Sequence, residues 1–134
     1  MKKTGTLNSQ LSRIIATMGH TDQLVICDSG LPIPRDREVV DLALSANIPR
    51  FTEALEVVLQ ELEVEGAILA EEFAPAGNGV FEEVSALLGD VPVEQVSHER
   101  FKELTAEAST CAFVRTGEAT PYANVILISG VTFS

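Results

Sequence analysis

The sequence predicts a single-domain α/β fold: a mixed, mostly parallel sheet with helices on both faces. Short apolar runs such as Leu24-Val25-Ile26-Cys27 alternate with segments whose apolar residues recur at helical spacing. The chain of 134 residues suits one core, and no repeat, low-complexity tract or Pro/Gly/Ser linker divides it, so residues 1–134 read as one domain.

Leu7, Leu11, Ile14, Ile15 and Met18 mark a first helix, with Asn8 or Ser9 as N-cap and Gly19 as its stop. The run Leu24–Cys27 then reads as a strand covered on both faces. Pro32 and Pro34 make the segment Leu31–Arg37 a loop. Val39–Leu42 reads as a short strand, and Phe51, Leu55, Val58 and Leu62 set one face of a helix from about Phe51 to Val64. Ala67–Ala70 is a further buried strand, Pro75–Gly79 a loop, and Val80–Leu88 a helix closed by Gly89. Glu94–Val96 reads as a strand and His98 to Ala106 as a helix. Two strands, Thr110–Arg115 and Val125–Ser129, finish the chain without a helix between them, which predicts at least one antiparallel pairing.

Composition narrows the function. Nine Lys and Arg against 20 Asp and Glu give a net charge of −11, which excludes a nucleic-acid or anionic-membrane surface as partner. A mean hydropathy of +0.20 excludes a disordered chain. No apolar stretch reaches the ~20 residues of a membrane helix, and Met1-Lys2-Lys3-Thr4-Gly5 is followed by no signal-peptide core, so a cytoplasmic protein is expected. Cys27 and Cys111 both lie in apolar runs and read as core residues; with two distant His they form no zinc pattern. The carboxylates Glu61, Glu63, Glu65, Glu71 and Glu72 read as solvated faces and helix ends.

Ligand sites in such sheets lie at the carboxyl ends of strands, which directs attention to Asp28 and to the segment after Arg115. Asp28 alone reads as an Asx-turn ending its strand, or as a carboxylate able to accept sugar hydroxyls or orient a histidine; Asp22 competes for the latter task. His20 by itself reads as a helix-terminal residue facing the last carbonyls, yet it is well suited to proton exchange. His98, with Ser97 as N-cap, sits at a helix N-terminus, where an uncharged imidazole could donate and accept hydrogen bonds. Lys102 shares its face one turn later. Tyr122-Ala123-Asn124 holds the single Tyr of the chain beside an Asn, an apolar ring with hydroxyl and amide that suits a polyhydroxylated ligand. Glu118 reads either as solvated or as fixing that loop.

Taken together, these segments are similar to the D-ribose pyranase family, a group of sugar mutarotases that includes the fucose mutarotases. The resemblance is carried by Met1–Asn8, Gly19-His20-Thr21-Asp22, Asp28-Ser29-Gly30-Leu31-Pro32-Ile33-Pro34, Ser97–Lys102, Arg115-Thr116-Gly117-Glu118 and Thr120-Pro121-Tyr122-Ala123-Asn124. It implies interconversion of the pyranose and furanose forms of D-ribose, and of anomers, with no metal or organic cofactor. It implies His20 as proton donor, and Asp28, His98 and Tyr122-Ala123-Asn124 as sugar-binding, with Lys102 a further contact. It also implies a homo-oligomer, a decamer of two pentameric rings with sites shared between neighbours. Two other readings stay open on the residues alone: a non-catalytic sugar-binding subunit of a ribose uptake system, and a phosphocarrier modified on an early histidine.

Overall fold

The computed structural model describes residues 1–134. Its elements are α1 (Ser9–Thr17), β1 (Gln23–Cys27), β2 (Glu38–Asp41), α2 (Phe51–Glu61), β3 (Val64–Ala70), α3 (Phe73–Ala76), α4 (Val80–Leu88), β4 (Val93–Val96), α5 (His98–Thr105), β5 (Thr110–Arg115) and β6 (Val125–Ser129). The strands form one six-stranded sheet in the order β2-β5-β1-β6-β3-β4. Only β6 runs against the others, antiparallel to both β1 and β3. The antiparallel strand predicted at the chain end is therefore present, but β1 lies between it and β5.

Helices cover both faces, as the continuous apolar runs require. Within β1, Leu24 and Ile26 face a core built with α1, α2 and α4, whereas Val25 and Cys27 face a smaller core under Phe101 of α5. Asn8 is the N-cap of α1, accepting from Leu11 N–H at 2.9 Å. The helix ends at Thr17, before Gly19, and Leu7 lies outside it and exposed. The second helix stops at Glu61 because the chain is already extended at Val64, where β3 begins against Ser129 of β6. Pro75 and Ala76 close the short α3, which the sequence reading placed in a loop; buried Phe73 anchors it against Phe51 and Phe81. Cys27 is buried as expected, but Cys111 is exposed, since that end of the α5 face is left uncovered.

A buried carboxylate fastens the loops at the carboxyl end of the sheet. Glu118 is 0 % exposed and accepts four hydrogen bonds, from Arg50 Nε (2.9 Å) and Nη2 (3.1 Å), Phe51 N–H (2.9 Å) and Thr120 Oγ1 (2.8 Å). Gly117 lets this loop press against the backbone of Ser45 and Ile48, where a side chain would collide. Burial pushes the Glu118 carboxyl up, but hydrogen bonds from Arg50, Phe51 and Thr120 outweigh it and hold the pKa below the usual carboxylate range. A depressed folded value gives stabilisation that is present above the unfolded value, ~4.3, and lost as pH falls through the folded one. Glu118→Ala should therefore cost about 3 kcal/mol near neutral pH, chiefly by leaving the Phe51 N–H buried and unpaired. Urea unfolding should show that gap narrowing in acid, below about pH 4; a gap unchanged by pH would show that the charge is not its source.

Candidate functional site

Because β6 runs antiparallel, the loop leading into it lies at the same end of the sheet as the loops leaving β1 and β4. Three segments converge there on a cavity of about 310 Å³ lined by Asp28, Gly30, Leu31, Pro32, His98, Pro121 and Tyr122. Asp28 follows the last residue of β1, and its Oδ1 accepts from the N–H groups of Gly30 and Leu31, both at 2.9 Å. The Asx-turn reading and the ligand reading are thus compatible, since Oδ1 shapes the turn while Oδ2 has no protein donor. Burial raises the Asp28 pKa above the usual carboxylate value, against the opposing pull of these hydrogen bonds and of His98.

His98 opens α5, whose N-cap Ser97 accepts from Arg100 N–H at 3.1 Å. The His98 N–H donates to both carboxylate oxygens of Glu72, at 3.0 and 3.1 Å. Its imidazole stacks beside Phe101 at 6.4 Å and meets the Tyr122 ring edge-on at 5.0 Å. Nδ1 is buried without a hydrogen-bond partner.

Tyr122 adopts a left-handed conformation, φ 64°, uncommon for an aromatic residue. That turn carries its ring to the cavity, while Ala123 is buried in the larger core. Asn124 is 0 % exposed; its Oδ1 accepts from Asp28 N–H at 2.9 Å, and its Nδ2 has no partner. A buried amide donor and a buried ring nitrogen, both unpaired and both beside Asp28, are what a hydroxyl-rich ligand would satisfy.

The remaining two candidates stand elsewhere. Lys102 lies on α5 outside the cavity lining, with Nζ on Glu99 at 2.8 Å. His20 lies beyond the far end of β1, on a second cavity of about 450 Å³ with Met18, Glu63, Ser129 and Phe133. The five residues of β1 separate it from Asp28 by at least about 16 Å. Its imidazole meets Glu65, Nε2 to Oε2 2.8 Å, instead of helix carbonyls. Asp22 accepts from Gly19 N–H at 2.8 Å and does not orient the imidazole. Two carboxylates read as solvated, Glu72 and Glu65, therefore hold the two histidines. Glu72 could have been found from its place just past the carboxyl end of β3; nothing in the sequence pairs Glu65 with His20. No group of three or more His, Cys, Asp or Glu is placed to hold a metal ion.

The model of the RbsD / FucU transport protein family matches residues 1–132. The chain belongs to that family. It is 51 % identical over 134 residues to a D-ribose pyranase of Geobacillus thermodenitrificans, covering all of both chains. It is 54 % identical to one of Symbiobacterium thermophilum, over 99 % of this chain and all of that one. Among solved structures, RbsD of Bacillus subtilis complexed with D-ribose matches with TM-score 0.93 and 43 % identity, covering 99 % of this chain and 100 % of that one. A Streptococcus pneumoniae fucose mutarotase in complex with L-fucose matches with TM-score 0.80 over 99 % of this chain and all of that one; at 20 % identity it shows the fold alone.

A raised Asp28 pKa means that the folded chain holds this proton more tightly than the unfolded one. The stability it contributes is full below the unfolded value, ~3.9, and is lost as pH rises through the folded value. Asp28→Asn, which keeps an Oδ1 acceptor for Gly30 and Leu31, should unfold at an equal or higher Tm near neutral pH. The advantage should vanish below about pH 4. A lower Tm at neutral pH would show that the folded chain favours the charged form.

Proposed function

We propose that this chain interconverts the β-pyranose and β-furanose forms of D-ribose by acid–base ring opening, using no metal or organic cofactor, and that residues 1–134 form one mutarotase domain. The observation that carries this reading is the cavity at the carboxyl end of the sheet. Asp28, His98 and Tyr122 line it; His98 Nδ1 is buried and unpaired, and Asn124, whose Nδ2 is also unpaired, accepts from the Asp28 N–H through Oδ1. The likeness to a ribose-bound relative at 43 % identity supports ribose over other sugars.

In this reading Asp28, His98, Tyr122, Ala123 and Asn124 hold the sugar, Lys102 adds a further contact, and His20 is the proton donor. Ring opening delivers a proton to the ring oxygen and removes one from the anomeric hydroxyl, as the bond from C1 to the ring oxygen breaks. The open-chain aldehyde then closes on a different hydroxyl, with the two proton transfers reversed. Positioned groups of this kind each contribute about 10²–10⁴-fold. No redox change or group transfer occurs, so hydrogen-bonding side chains and one exchangeable imidazole suffice.

The strand between His20 and Asp28 supports a site completed by a second copy, whose His20 end meets the Asp28 end of its neighbour. A homodecamer of two pentameric rings is the assembly proposed. The exposed Leu44, Ile48 and Phe133 supply apolar surface for it. No helix is long and apolar enough to cross a membrane, and two free cysteines, one exposed, suit a reducing cytoplasm.

Magnetisation-transfer NMR on equilibrium D-ribose should show faster pyranose–furanose exchange with catalytic amounts of the protein. His20→Ala and His98→Ala should each lose at least about 10²-fold. When the two inactive variants are mixed as subunits, about one site in four receives an intact His20 and an intact His98, so about a quarter of the native rate should return. Recovery of nothing would place the whole site within one chain. Ribose binding without accelerated exchange would replace the enzyme with a binding subunit.

A further inference from the structure

We propose that Glu65 is a positioning residue for His20: it accepts the Nε2–H of the imidazole, fixes that tautomer and turns Nδ1 toward the sugar. The inference rests on the reading of His20 as proton donor and adds the group that aims it.

Three separate irregularities bring the pair together. First, the pairing of β3 with β6 slips between Val64 and Gly66, leaving Glu65 as the extra residue of a bulge. A bulge re-aims the side chain it carries, and here the carboxylate reaches His20 Nε2 at 2.8 Å. Second, Thr21, next to His20, has φ 70°, an unfavourable conformation for a β-branched residue. The sheet enforces it, since Thr21 N–H donates to Ser129 O at 2.9 Å and Ser129 N–H to Asp22 O at 2.8 Å. Third, the Asp22 carboxylate accepts from Gly19 N–H, closing the turn that presents His20. Gly130 completes the fit: its N–H donates to Glu63 O at 2.8 Å, and a side chain there would crowd the Glu65 Cβ.

The His20 and Glu65 side chains are 53 % and 44 % exposed, so the pair adds little to stability. Its consequence is orientation. A neutral imidazole has one N–H and one bare nitrogen, and a carboxylate can only accept. With Nε2–H committed to Glu65, Nδ1 is the nitrogen that exchanges with the sugar: bare in the neutral ring, it first takes up a proton, and as imidazolium it donates that proton to the ring oxygen. Glu65 itself does not touch the substrate, so its loss should lower kcat and leave KM nearly unchanged.

The test combines ribose exchange with ¹⁵N–¹H correlation spectra of histidine-labelled protein in alkaline buffer, the His20 signals assigned by their absence from His20→Ala. In the native assembly His20 should be a single Nε2–H tautomer; finding Nδ1–H overturns the proposal whether or not any Glu65 variant folds. Glu65→Ala should give a tautomer mixture, a fall in kcat of at least about tenfold and a KM within about twofold. Glu65→Gln, whose amide oxygen can still accept from Nε2–H, should restore the single tautomer and part of kcat. An unchanged kcat in Glu65→Ala, or a loss with the tautomer unaltered, discards Glu65 as positioning residue. A native protein that exchanges ribose and loses that activity in His20→Ala keeps the proposed function whatever Glu65 does. A native protein without exchange overturns the function itself.

Discussion

The carboxyl end of this sheet depends on one buried carboxylate. Glu118 is acceptor-only, and its two oxygens meet four donors from the start of α2 and from its own loop. Its backbone carbonyl also accepts from Ser29 N–H at 3.0 Å and Ser29 Oγ at 3.1 Å. A single residue thereby joins the loop after β1, the N-terminus of α2 and the loop before β6. An apolar residue would fill the space and leave the Phe51 N–H unpaired; a lysine would bring donors to a place already crowded with them. The alternatives met in the sequence, a solvated Glu118 or one that fixes its loop, are decided by these contacts.

That rigidity permits a cavity whose own groups are poorly satisfied. Asp28 is partly desolvated, His98 Nδ1 and Asn124 Nδ2 lack partners, and Tyr122 holds a left-handed backbone. Each feature opposes stability; Asp28, His98 and Tyr122 line the cavity between the loops after β1 and β4, and Asn124 is bonded to the Asp28 N–H. Local rules broken at one place and compensated by a well-bonded neighbour are the mark of a site held ready for a ligand. Glu72 serves the same end for His98: it takes the first N–H of α5, so the histidine keeps its place with its ring nitrogen unspent.

The strands were legible because a sheet covered on both faces writes continuous apolar runs, as Leu24–Cys27 does. Ser97 as N-cap and the loop character of Leu31–Arg37 were legible because capping and proline act within a few residues. Strand order was not: β5 and β6 are consecutive in sequence, yet β1 comes between them, and only long-range pairing decides that. Cys111 misled because its apolar neighbours are buried while its own side faces the uncovered part of the sheet. Asp28 and Tyr122 were legible from the rule about carboxyl ends of strands, and His98 from its place behind the N-cap Ser97 at a helix N-terminus. The carboxylates were not, because the partners of Glu72, Glu65 and Glu118 lie 26, 45 and 68 residues away.

The orientation of β6 explains why the candidate residues gather at two opposite ends of the sheet. At its first residues the loop carrying Tyr122 and Asn124 meets the loop of Asp28, since Val125 pairs with Ile26. At its last residue, Ser129 pairs with Val64 and bonds to the turn of His20, so the imidazole and Glu65 are assembled around its other end. A parallel strand here would reverse these ends and separate Asn124 from Asp28. One reversed strand in a mostly parallel sheet thus builds the Asp28 cavity and a histidine–carboxylate end on the same chain, at least about 16 Å apart. Proton transfer operates over hydrogen-bond distances, near 3 Å, and no side chain spans the strand. In the proposed ribose mutarotase the separation is closed by symmetry, each copy lending its histidine to the sugar held by the next.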